Sequence, residues 1–164
     1  MNLNIGSSNA HGEYKRGWIN LDLVSHDNIQ IIGDATKLPF TDNSFDLIHC
    51  VHVLEHVTRD KYPKMIAEMA RVGREVFIEV PDFKQVIGKL YNSFFKNRRE
   101  HIHIWTTSIY GKNERKGMAH HWGFDEQLLS EAMLSNGFST AIRETEMISG
   151  HYKQEPVLLM RGLK

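Results

Sequence analysis

The stretch GDATKLPFTDNSFDLIHCVHVLEHV, residues 33–57, decides how this chain is read. Its first acid, Asp34, closes the apolar run NIQIIG at 28–33. Its middle, FDLIHCV at 45–51, is almost continuously apolar, the pattern of a strand buried on both faces. Directly after it, His52, Glu55 and His56 stand at helical spacing, so His52 and His56 share one face of a turn. The stretch thus holds the polar exits of two successive strand candidates, Asp34 after the third and His52 after the fourth.

Working outward, the same grammar repeats. Leu3 to Gly6 and WINLDL at 18–23 are further strand candidates, and EVFIEV at 75–80 is a fifth. A helix fits between the fourth and fifth strands, with Asp60 as its cap, Pro63 in its first turn and Gly73 at its end. A second helix fits about 83–94 after Pro81, and a third runs from the cap Asp125 to Gly137. Strand candidates at 138–145 and 156–160 finish the chain. Residues 95–123 show no sustained period and read as a long loop. Strand alternating with helix predicts an α/β domain built on a mostly parallel sheet. At 164 residues the chain is read as a single domain, 1–164.

Composition narrows the function classes. The 20 basic and 20 acidic side chains balance, so there is no global positive field for non-specific nucleic-acid binding. The balance is local only: between Asp82 and Lys116 there are eight Lys/Arg and three acids. A single cysteine, Cys50, excludes an internal disulfide framework and predicts a reducing, cytoplasmic setting. No membrane span or signal segment is read.

In open parallel sheets, ligands bind beyond the carboxyl ends of the strands. Gly6 and Ser7 follow strand one, Asp22 closes strand two, Asp34 closes strand three and His52 follows strand four. A small-residue turn with an acid some 16 positions on suits a ribose diol. A nicotinamide-binding oxidoreductase meets the same description, but the first turn, Gly6-Ser7-Ser8-Asn9-Ala10-His11, lacks G-x-G-x-x-G. Asp22 and Asp34 also suit plain turn and cap roles. A metal is not expected: His49 lies on a strand, ahead of the His52/His56 face, and no Cys pair is present.

The opening stretch closely resembles the region after strand three in class I S-adenosylmethionine-dependent methyltransferases, especially the small type 11 group. GWINLDL, EVFIEVPDF and HHWGFDEQLLSEAMLSNGF resemble other parts of that family, so the likeness covers nearly the whole chain. It implies a Rossmann-like seven-stranded sheet, helices on both faces and the last strand antiparallel. The helices that usually precede strand one are absent from this reading. It implies S-adenosylmethionine as cofactor, with its methionine end by Gly6 and Ser7. Asp22 and Leu23 would meet the ribose, Asp34 and Ala35 the adenine, and Cys50 and His52 would pass beneath. The family's acidic glycine-rich turn is reduced here to one glycine, with Asn4 for the acid.

The implied reaction is methyl transfer to an O or N nucleophile, with His52 or His56 as candidate base. The basic 82–116 segment favours an anionic acceptor, a small metabolite of saccharide or nucleotide type; nucleic acid is disfavoured. His101, His103, Trp105, His120, His121 and Trp122 mark the 95–122 loop as a substrate lid. The reading allows a homodimer. A non-catalytic cofactor-binding module that needs a partner stays open beside it.

Overall fold

The computed structural model describes residues 1–6, 15–25, 27–112, 117–148 and 155–164. Among these residues seven strands form one sheet: β1 Asn2–Ile5, β2 Ile19–Asp22, β3 Ile31–Ile32, β4 Phe45–Val51, β5 Gly73–Pro81, β6 Thr140–Glu144 and β7 Val157–Leu163. Their order across the sheet is β3-β2-β1-β4-β5-β7-β6. Pairing is parallel from β3 through β5, and β7 runs antiparallel to both β5 and β6. The direction of winding reverses between β1 and β4, which puts the switch point of the sheet there.

Among the described residues, four α-helices accompany the strands: α1 Tyr62–Val72, α2 Phe83–Phe95, α3 Arg99–Tyr110 and α4 Glu126–Ser135. Met65, Ile66 and Met69 of α1 and Leu129, Ala132 and Met133 of α4 join Leu3, Ile5, Ile48, Val76, Ile78 and Met160 in one buried cluster. Strand side chains alternate across a sheet, so His49, Phe77 and Arg161 belong to the opposite face. There Trp18 and Phe77 each stand edge-on to His49, and the Arg161 guanidinium lies over Phe77. Between β1 and β2, and between β2 and β3, the described residues hold no helix.

Two expectations are corrected. Residues 95–123 are not one aperiodic loop, because α3 occupies Arg99–Tyr110. Its sequence, REHIHIWTTSIY, is poor in strong helix formers and rich in β-branched residues, so its propensity hides it. Hydroxyls of Thr106, Thr107 and Ser108 bond back to carbonyls one turn earlier, and Trp105 is buried with its Nε1–H donating to Ser93 Oγ at 3.1 Å. Packing on α2 therefore holds α3. Asp60 does not cap α1; the N-cap position is Lys61, without a side-chain bond, and Asp60 bonds Thr58 instead. Asp125 does cap α4, accepting from the Leu128 N–H at 2.9 Å.

The Leu38–Asp42 segment is clasped by α1. Arg71 donates to the carbonyls of Leu38 and Phe40 and to Asp42, while Glu68 accepts from the Leu38 N–H and holds the Arg71 guanidinium. Arg71→Met leaves carbonyls without a partner, and about 1–3 kcal/mol of stability is expected to be lost. The Arg71 bonds hold the Glu68 carboxyl below its ordinary value of 4.5. That contribution is complete above 4.5 and is lost as pH falls through the lowered value. Urea unfolding of both proteins should therefore show a gap at neutral pH that narrows in acid.

Candidate functional site

The carboxyl ends of β1 to β4 bring the sequence candidates into one row. Gly6 leaves β1 with φ +78°, donating to the Leu21 carbonyl at 2.9 Å. A Cβ at Gly6 would lie 2.1 Å from Val53 Cγ2. The exits of β1 and β4 are therefore in direct contact at the switch point. Ser7 lies outside the described residues.

Asp22 ends β2, and its Oδ1 accepts from the Val24 N–H at 3.0 Å. Asp34 follows β3. Its Oδ1 takes the Thr36 N–H and hydroxyl, each at 2.8 Å, and these bonds hold its carboxyl below the ordinary range. Leu23, Val24 and Ile32 beside these acids are exposed at 69%, 56% and 62%, large apolar side chains open to solvent next to two carboxylates. Ala35 packs partly against the core. Cys50 is fully buried in the core cluster, between Ile5 and Ile78 across the sheet, rather than at the edge.

Beyond β4 the backbone turns through His52, a non-glycine residue at φ +52°, into a 3-10 turn at Leu54–His56. The His52 N–H donates to the Glu79 carbonyl at 2.8 Å. Its imidazole sits between two buried carboxylates, 3.2 Å from Glu55 and 3.4 Å from Glu79. Burial alone would push this imidazole down, but the two carboxylates override it and raise it to about 10. His52 is thus a held imidazolium at neutral pH, poorly suited to accept a proton. Glu79 also accepts from the Ile148 N–H at 2.7 Å.

The segment after α3 returns to this turn. Gly111, at φ +74°, bridges to Ala119, and a Cβ there would meet the Met118 carbonyl oxygen at 2.2 Å. The N–H groups of His121 and Trp122 donate to the Glu55 carbonyl. His56 Nδ1 donates to the Ala119 carbonyl at 3.0 Å, and His120 Nδ1 to the Ser108 carbonyl at 2.9 Å. Burial pushes the His120 imidazole below its ordinary value. Trp122 stacks on Tyr62, with the Arg59 guanidinium 4.8 Å from its ring. Phe124 then bridges to Asp82 at the end of β5. His120 and Trp122 therefore lie on the turn after β4, whereas Trp105 is a rivet between α2 and α3. His101 and His103 are carried on α3, with His103 exposed, and His121 is exposed too.

Sequence reading gave no role to Glu79, Val53 or Ile32. The signal for Glu79 was present: a carboxylate inside an apolar strand must find a partner.

Comparison with known proteins agrees with this geometry. The Methyltransferase domain family matches residues 15–76. An uncharacterised protein of Methanocaldococcus jannaschii is 33% identical over 69 residues, 40% of this chain and 29% of that relative, so the match spans under a third of its length. Two solved structures overlay 99% of this chain. A Thermotoga maritima protein described as an S-adenosylmethionine-dependent methyltransferase, possible histamine N-methyltransferase, does so with TM-score 0.62 and 16% identity, over 81% of its own chain. The Burkholderia thailandensis 1,6-didemethyltoxoflavin-N1-methyltransferase, bound to its substrate and S-adenosylhomocysteine, does so with TM-score 0.59 and 14% identity, over 70% of its chain. The strand order and these overlays define the class I S-adenosylmethionine-dependent methyltransferase fold. Within that fold, the likeness to the Methyltransferase domain family covers residues 15–76. No described helix is long and apolar enough to cross a membrane.

Proposed function

We propose that this chain binds S-adenosylmethionine along the carboxyl ends of β1 to β4 and directs its methyl group to an O or N nucleophile of an anionic acceptor. The observation that carries this reading is the row of Gly6, Asp22 and Asp34 on neighbouring strand ends, with exposed Leu23 and Ile32 beside the acids. The donor set fits the cofactor. A carboxylate at Asp22 accepts from ribose hydroxyls, the carboxylate at Asp34 accepts from an exocyclic amine, and the apolar side chains suit the faces of adenine. S-adenosylmethionine, when bound, supplies an electrophilic methyl group on a cationic sulfonium.

The chain's own residues contribute binding, orientation and charge. His52, Glu55 and Glu79 together carry one net negative charge with the imidazole protonated, and two without, so the cluster favours a cation above it in either state. His56 keeps its Nε2 as a candidate proton acceptor, since its Nδ1–H is committed to Ala119. Catalysis then rests first on holding the acceptor in line with the methyl group. Lys84, Lys89, Lys96, Arg98 and Arg99 on and between α2 and α3 supply attraction for an anionic acceptor, screened as salt rises. Residues 119–122, bonded to the turn after β4, are the proposed cover.

The test is incubation with S-adenosylmethionine labelled in its methyl group and a panel of phosphorylated and carboxylated acceptors. Release of S-adenosylhomocysteine that depends on acceptor and weakens with salt is expected. Saturable cofactor binding with no release on any acceptor would replace this reading with that of a binding module.

A further inference from the structure

Glu55, His56 and His120 meet although the return segment lies more than 60 residues beyond the 3-10 turn. One ligand-competent atom from each lies within 4.8 Å of the other two. The His56 and His120 rings are 4.9 Å apart at 70°. Both histidines are already oriented: a carbonyl oxygen only accepts, so Ala119 and Ser108 fix the proton on Nδ1 and leave Nε2 as the lone-pair nitrogen of each neutral ring. This carbonyl-to-histidine arrangement is the one that orients metal-bound imidazoles. The second observation is Glu55 itself. Its side chain is 2% exposed, Oε1 faces His52, and Oε2 is buried with no hydrogen-bond partner among the described residues. A buried carboxylate oxygen left unbonded is costly. A cation at this point would satisfy it.

We propose that Glu55, His56 and His120 form a three-ligand site for a divalent cation of borderline softness, Zn2+ foremost. Two imidazoles and one carboxylate are a donor set that Zn2+ takes in open sites, with a fourth position left for water or an oxygen ligand. His52 and the carbonyls of Ala119 and Ser108 form the surrounding shell. Donor atoms at tetrahedral Zn2+ contact lie about 3.3 Å apart, so on loading the three close by up to about 1.5 Å from their separation of at most 4.8 Å. A metal here uses the same Nε2 of His56 that is otherwise offered to a proton, so the two roles exclude one another. The site stands on these three residues alone and does not depend on the cofactor reading.

The test uses the full chain without S-adenosylmethionine. Zn2+ content after dialysis is measured by elemental analysis, and affinity by competition with a chromophoric chelator. One tightly held Zn2+ per chain is expected. His120→Ala should weaken it on the order of 100-fold or more, since loss of a ligand exceeds the effect of losing an orienting partner, while exposed His103→Ala leaves it unchanged. Substitution of Co2+ into the unaltered protein should give the intense visible absorption of a four-coordinate site. This second readout holds even if His120→Ala fails to fold. Sub-stoichiometric Zn2+, equal affinity in His120→Ala, or the weak absorption of six-coordinate Co2+ would overturn the proposal.

Discussion

Asp22→Ala is expected to weaken S-adenosylmethionine binding by about 2–3 kcal/mol, or about 30- to 150-fold, while the protein stays folded. The carboxylate stands at the end of β2, where its Oδ1 is engaged by the local turn, to the Val24 N–H. A ribose diol would add two hydrogen bonds to an ionised acceptor, the strong kind. Loss of the local bond to Val24 is a small exposed-turn effect, so thermal stability should change little while affinity falls. Asp22→Asn, which keeps the shape and one acceptor, should fall between the two. Calorimetric titration of the three proteins is the check. Equal affinity in Asp22→Ala would remove this carboxylate from the cofactor site.

Gly6→Ala is expected to be strongly destabilising. The residue adopts φ +78°, a region that costs an L side chain roughly 1–2 kcal/mol. The new Cβ would also lie 2.1 Å from Val53 Cγ2, so the Val53 side chain or the turn that carries it must shift. Overpacking of this kind adds about 1–3 kcal/mol. The sum, roughly 2–5 kcal/mol, should appear in urea unfolding. The double variant Gly6→Ala/Val53→Ala separates the two parts. It should relieve the clash but not the backbone strain, measured against Val53→Ala alone. Full recovery in the double variant would mean that backbone conformation at Gly6 is of no account, and no loss in the single variant would contradict the contact between the β1 and β4 exits.

The parts of this molecule that were legible in sequence are those where one physical rule dominates. FDLIHCV is apolar almost throughout because β4 is central, paired with β1 and β5, and it was found with the right bounds. Asp22 and Asp34 announced themselves as acids closing apolar runs. β3 was overdrawn: only Ile31–Ile32 pair with β2, and Asn28 just before them adopts φ +75°, which breaks the strand. α3 was missed because it is held by packing, with Trp105 buried and bonded to Ser93 of α2, rather than by its own propensity. The cluster at the turn after β4 was half visible. His52, Glu55 and His56 share a local spacing, but Glu79 reaches them through strand pairing and His120 through the return of the chain after α3. Neither contact leaves a periodic trace.

Calorimetric titration of the unaltered protein with S-adenosylmethionine, S-adenosylhomocysteine and NAD tests the central claim most directly, since these ligands share adenosine and differ in what the Gly6 end must accept. Saturable one-to-one binding of S-adenosylmethionine and S-adenosylhomocysteine, without saturation by NAD at the same concentrations, is the predicted result; saturation by NAD, or a folded protein that takes up neither methionine-bearing ligand, would contradict it.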